Sequence, residues 1–338
     1  MEVINWLLSS DPYVEYATRK NLLNQNENEL SDLKEAVLAD DRVKKLLNDV
    51  ADFNGTLVTN HKNPDLPIHK LLFLMDMGLN REVKEIDAAI QTILENKDED
   101  GLYKSMTNVS KNYGGTGENT LGWAFCDAPL MLLALLRAGV SYEDHIKQGV
   151  VYLVKYQRDN GFPCAVSAEL GKFRGPGRKG DPCPYANLIM LRLFALIPEY
   201  AESETARVSI SSLLEQWENS RESHPYMFYM GTDFRKLKAP ALWFDLVAIT
   251  DCLSKHPFAR KDPRFQEMID ILEAKANPIL QFTPESIYLK CREWDFGQKK
   301  QPSPWLTYLC LGILARAGHR GDLLEFCRKQ TAVKLELL

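Results

Sequence analysis

Hydrophobic positions along the chain recur mostly at helical spacing, and the helices they predict are of two kinds. In residues 83–94, VKEIDAAIQTIL, the residues Val83, Ile86, Ile90, Ile93 and Leu94 form one apolar stripe opposite a charged face. Residues 145–157, HIKQGVVYLVKYQ, repeat this with Ile146, Val150, Leu153 and Val154. The second kind is apolar on nearly every side: 66–78, 120–139, 183–197, 239–253 and 303–318. A helix without a polar face is predicted to be buried all round, and one with a charged face to lie outside it. Strand signals are nearly absent.

The two kinds alternate, joined by turns that resemble one another. The helix at 83–94 runs into ENKDEDGLY and that at 145–157 into KYQRDNGFP, so that Gly101 and Gly161, each followed by a bulky residue, stand sixty residues apart. DFNGTL at Gly55 is a shorter copy, while 213–228 and 271–282 keep the helix and an aromatic residue but lose the glycine. A fixed period of helix, turn and buried helix predicts a repeat architecture. We expect an all-α fold, an α/α toroid of five to six helical hairpins spanning 51–338, because the apolar helices are unsuited to an open, solvated face. Residues 1–50 predict three or four short helices opened at Asp11-Pro12, Ser31 and Asp40, forming a helical collar packed on the toroid.

Composition narrows the function classes. The 338 residues carry a net charge of −5, so no global field favours nucleic acid, and any anion site must be local. The longest apolar runs are too short to span a membrane. MEVINWLLSSDP lacks the basic start of a secretory signal, and seven scattered cysteines fit a reducing compartment, which together predict a cytoplasmic protein. Against this background GKFRGPGRKGDPCPYANL, 171–188, concentrates Lys172, Arg174, Arg178 and Lys179 among glycines just before an apolar helix. Backbone N–H groups, arginine forks and a helix N-terminus all suit an anion, although a charged loop is more commonly a solvated linker with Asp181 as a helix cap. Arg235 with Lys236 and Lys238, and Lys299 with Lys300, likewise precede apolar helices.

The amphipathic helix, the degenerate Gln-x-x-x-Gly-aromatic turn (best in YQRDNGFP) and the apolar helix resemble the α/α-toroid superfamily of terpene cyclases and protein prenyltransferase β subunits, over roughly residues 50–320. In the prenyltransferases a Gly-Phe turn is followed by basic residues that hold an isoprenoid diphosphate, then by Asp-x-Cys, which binds zinc. Here Gly161-Phe162 precedes the basic stretch and Asp181-Pro182-Cys183. The resemblance implies zinc at Asp181 and Cys183, but the family's third ligand, a histidine early in a later apolar helix, is replaced in PSPWLTYLCLGIL. The cyclases' Asp-x-Asp-Asp acid motif is also missing. A prenyltransferase would further need an α-subunit partner that nothing in the chain identifies, and whether zinc, magnesium or no metal serves the chain stays open.

The starts of the apolar helices offer aromatic residues for a central cavity: Trp123, Tyr185, Trp243, Trp305 and Tyr308. Their faces would suit an isoprenoid chain or a cation, though any one of them is equally core packing. Asp127 and Asp245, carboxylates within apolar segments, are the candidate acid catalysts, since burial would raise their pKa; the plainer role is capping or ion pairing. The expected function is therefore binding of an isoprenoid diphosphate or similar amphipathic anion, with a non-catalytic scaffold and a glycan-processing α/α barrel as alternatives.

Overall fold

The computed structural model describes residues 2–172, 179–222 and 234–319. Helices dominate, and the alternation of two kinds is as the hydrophobic pattern requires. The chain opens with α1 (Glu2–Leu8), α2 (Pro12–Ala17), α3 (Ser31–Ala39) and α4 (Asp41–Ala51). Asp40 accepts from Arg42 N at 2.8 Å and so caps α4. Asp11 makes no capping bond, and Ser31 lies inside α3 with Leu30 at its cap. Next come α5 (Pro67–Asp76) and α6 (Lys84–Glu95), then a ribbon of β1 (Ser105–Thr107) and β2 (Thr120–Gly122) paired antiparallel, with Met106 opposite Leu121. The helices resume with α7 (Ala128–Arg137), α8 (Lys147–Val154), α9 (Pro184–Phe194), α10 (Pro198–Ala201) and α11 (Glu204–Glu218). Last are α12 (Leu246–Leu253), α13 (Pro257–Arg260), α14 (Pro263–Glu273) and α15 (Pro304–Ala317).

Two apolar helices are shorter than their sequence patterns. The segment 120–139 begins as β2 and turns helical only at Ala128; 239–253 stays irregular until Leu246. Asp127 and Asp245 sit at the two boundaries, where a short polar side chain stops the helix extending backwards. Trp123 and Trp243 therefore lie on the loops that lead into α7 and α12.

The five apolar helices contact one another in series, α5 on α7, α7 on α9, α9 on α12 and α12 on α15. The amphipathic helices lie against them: α4 on α5, α11 on α9, and α14 on α12 and α15. α15 in turn packs on α1 and α2, α2 on α3, and α3 on α4, so the series of contacts returns to its start. Ion pairs tie neighbours together, Asp76 with Arg137 at 2.7 Å and Asp251 with Arg316 at 2.6 Å. No helix among the described residues is long and apolar enough to cross a membrane.

The turns show what the repeat encodes. Lys97 bridges Tyr103 and Ala276 bridges Phe282, each closing a tight loop with one left-handed residue two positions before the aromatic. In the first loop that residue is Gly101, at φ +84°; in the second it is Leu280, at φ +62°, so the turn survives the loss of its glycine. Gly161, at φ +108°, has the further constraint of close approach: a Cβ there would lie 2.6 Å from Asn187 Oδ1 and 2.8 Å from Ser212 Oγ. Gly161→Ala is expected to cost about 2–4 kcal/mol in urea unfolding, from left-handed strain plus displacement of Asn187. Gly180→Ala, where nothing lies within 4 Å of the added carbon, is expected to stay within about 1 kcal/mol of the wild type.

Candidate functional site

The loop before α9 returns to the turn at Gly161. Cys183 N donates to Phe162 O at 2.7 Å, and Asn187, one turn into α9, accepts from Phe162 N at 2.9 Å. α15 repeats the joint: Ser303 N donates to Phe282 O at 2.9 Å, and Thr307 Oγ1 accepts from Phe282 N at 2.9 Å. Cys183 and Ser303 are the caps of their helices, as Asp245 is of α12, while Asp127 holds the same position before α7. Both acid candidates and one metal candidate, Cys183, thus occupy equivalent places, whereas Asp181 stands in the loop two residues before the cap, so that Cys183 and not Asp181 caps α9.

They differ in how fully they are satisfied. Asp127 is 2% exposed; its Oδ1 accepts from Ala124 N at 2.9 Å and its Oδ2 from Ser105 Oγ at 2.6 Å, with His61 Nε2 3.5 Å away and too poorly aimed to bond. Asp245 accepts from Ala248 N at 2.9 Å through Oδ1, but its buried Oδ2 has no partner. Burial pushes the Asp245 carboxyl up to about 7, against the pull of the Ala248 N–H and Lys238. Asp245 is therefore a carboxyl that can carry a proton near neutrality.

Around it converge side chains from separate segments. Tyr288, from the loop after α14, has a buried hydroxyl that makes no well-formed hydrogen bond, the nearby Trp243 backbone only slightly offsetting the upward push of burial and of the Asp245 charge. Lys238 Nζ lies 3.4 Å from the centre of the Tyr288 ring. Tyr185, in the first turn of α9, packs on Trp243 with ring centres 4.0 Å apart and donates from its hydroxyl to Leu242 O at 3.0 Å. Lys62 Nζ sits 5.1 Å from the Trp243 ring centre, and burial lowers its pKa. Cations on aromatic faces, a carboxyl that is neutral below pH 7 and partly exposed Trp243 suit a ligand with an apolar body and a negative end.

The other sequence candidates are distributed more widely. Trp123 packs on Tyr152 of α8 and on Tyr156, with ring centres 6.0 and 5.7 Å away. Trp305 packs on Tyr13, Phe73 and Tyr308, and the Tyr308 hydroxyl accepts from Asn21 Nδ2 at 2.8 Å. Lys172, Lys179 and Lys299 are exposed; Lys172 N donates to Gly114 O at 2.9 Å. Arg235 lies flat on Trp217 of α11, 3.9 Å from the ring centre, apart from Lys238 on Tyr288. Arg174 and Arg178 lie outside the described residues.

For the zinc that the resemblance implies, the described residues do not fit. The Cys183 thiol is pushed well up by its hydrogen bond with Cys164 and by burial, and its sulfur accepts from Ala186 N at 3.5 Å. Among the described residues no group of three or more His, Cys, Asp or Glu side chains is arranged to hold a metal. Lys62 and Tyr288 escaped the sequence reading because both stand in loops with no periodicity to mark them. Comparison with known proteins adds no assignment: no family model matches the chain and no curated protein sequence matches it.

The Asp245 carboxyl sets a pH test. Its folded pKa lies above the unfolded value, so between about pH 4 and 7 the unfolded state loses its proton first, and stability falls as pH rises through that window. Asp245→Asn keeps the capping acceptor and removes the titration. In urea unfolding, the loss of stability between pH 5 and pH 8 is expected to be smaller in the variant by about 2–4 kcal/mol.

Proposed function

We propose that the chain is an α/α-toroid protein of the prenyltransferase and terpene-cyclase kind, in which α1 and α2 complete the ring of apolar helices. In this reading it binds an isoprenoid diphosphate or comparable amphipathic anion at the start of those helices. The observation that carries the reading is the convergence of Asp245, Tyr288, Lys238, Tyr185, Trp243 and Lys62 on one place, with two buried polar atoms there unsatisfied. Native interiors rarely leave such atoms without a partner, and a ligand is one reason to do so. The aromatic faces take the apolar chain, the lysines the negative end, and protonated Asp245 is placed to donate a hydrogen bond or a proton.

A second reading has its own support. Trp123, Tyr185 and Trp305 are only 0–2% exposed, so these three fill space rather than line a hollow, as a scaffold protein would have them. The glycan-processing reading is weaker, because both Asp127 oxygens are already engaged.

Titration with farnesyl diphosphate, monitored calorimetrically and by thermal shift, separates the two. The ligand reading expects a Tm rise of several degrees at a hundred-fold excess over Kd, with little response to farnesol. Lys62→Gln is expected to weaken binding about ten-fold or more while the apo Tm stays within about 2 °C. Heat and Tm unchanged by both compounds would leave the scaffold.

A further inference from the structure

The apolar helices carry few cations, and all but one of these are paired. Lys70 of α5 meets Asp49 at 2.8 Å, Arg137 of α7 meets Asp76 at 2.7 Å, and Arg316 of α15 meets Asp251 at 2.6 Å. Arg192 of α9 has no carboxylate within ion-pair distance among the described residues. Its one hydrogen bond runs from Nη1 to Ala241 O at 3.5 Å, the outer limit of such a bond. The carboxylate whose field it shares, Asp251, is already engaged on both oxygens, by Arg316 at 2.6 Å and Lys255 at 2.7 Å.

Arg192 stands on a helix that is otherwise buried. Of the eleven residues of α9, the other ten are buried, and Arg192 alone keeps accessible surface. α9 packs on α7, α11 and α12, and Arg192 stands seven residues, two turns, after Tyr185 on the same side of that helix. Arg192 lies near enough to His69 of α5 and to Tyr185 to act electrostatically on both. A partly buried guanidinium without a counter-ion is stabilised when an anion arrives.

We propose that Arg192 is an oxyanion-binding residue that seats the charged end of the ligand inside the ring of apolar helices, the planar fork engaging two oxygens of a diphosphate. The orientation of the ligand rests on the function proposed above; the anion site itself does not. The two sources of such an oxyanion, a free diphosphate and the head of a lipid-like ester, are distinguished by the probes.

The test compares wild type with Arg192→Met and Arg192→Lys by thermal shift and calorimetry, using inorganic diphosphate and farnesyl diphosphate. Wild type is expected to be stabilised by inorganic diphosphate. The methionine variant should lose that response while its apo Tm is unchanged or higher, since an unpaired charge has been removed. The lysine variant should fold normally and bind at least ten-fold more weakly, lacking the fork. A wild type indifferent to both diphosphates, variants that bind as the wild type does, or an apo Tm that falls by more than about 5 °C in both variants would each overturn the assignment. Binding of inorganic but not farnesyl diphosphate through Arg192 would uphold the site and remove the isoprenoid.

Discussion

The fold depends on a joint in which a turn residue gives both of its backbone groups to the helix that follows. At Phe162 the N–H goes to Asn187 and the C=O to Cys183 N; at Phe282 the partners are Thr307 and Ser303 N. Both aromatic residues are fully buried, so neither backbone group has water to fall back on, and leaving one unpaired would cost about 1–3 kcal/mol. The joint fixes where α9 and α15 start relative to the turns before them. It also explains why polar side chains occur inside otherwise apolar segments: caps are needed where the helices begin, and the helices begin together. Three of the five apolar helices, α9, α12 and α15, begin with a side-chain cap, and the one at Asp245 is distinctive because its cap is only half satisfied.

Much of this was legible in the sequence, because both kinds of helix write their burial directly into hydrophobic spacing. Ile86, Ile90 and Ile93 are buried on the expected stripe of α6, and α5 and α9 are buried almost throughout. The pattern failed where a short polar residue cut a helix short. Hydrophobicity continues through Trp123 and Phe125 into α7, but those residues are buried by the loop they lie on, and periodicity cannot tell one burial from the other. The ribbon of β1 and β2 escaped because strands of three residues are too short for alternation to register. The copy at 271–282 reads as degenerate in the sequence because Leu280, which takes the left-handed place of the glycine, has no sequence signature for that backbone.

Charge was the least legible property. Counting lysines and arginines in loops drew attention to segments that precede helices, yet the described cations are disposed by what they rest on. Arg42 lies over Tyr13 and Trp294, Arg235 over Trp217, Lys238 over Tyr288 and Lys62 over Trp243. A guanidinium on a ring face is held by the ring's quadrupole and by the burial of its own stem, neither of which a tally of charges contains. A single arginine in the apolar run CPYANLIMLRLFALI was the better sequence signal, of the same kind as Asp127 and Asp245 in theirs.

Asp295 accepts from the hydroxyls of Tyr13 and Ser303 and from Trp305 N, while Asn21 reaches Tyr308. The bonds from Tyr13 and Asn21 join residues almost three hundred positions apart, so the contact between the first and last helices forms only after the intervening chain has been made and gathered. Loop-closure entropy weighs on that step more than on any other contact in the molecule. A nascent chain would expose the faces of α1 and α2 that pack on α15 until α15 emerged, so these first helices are the last to be covered.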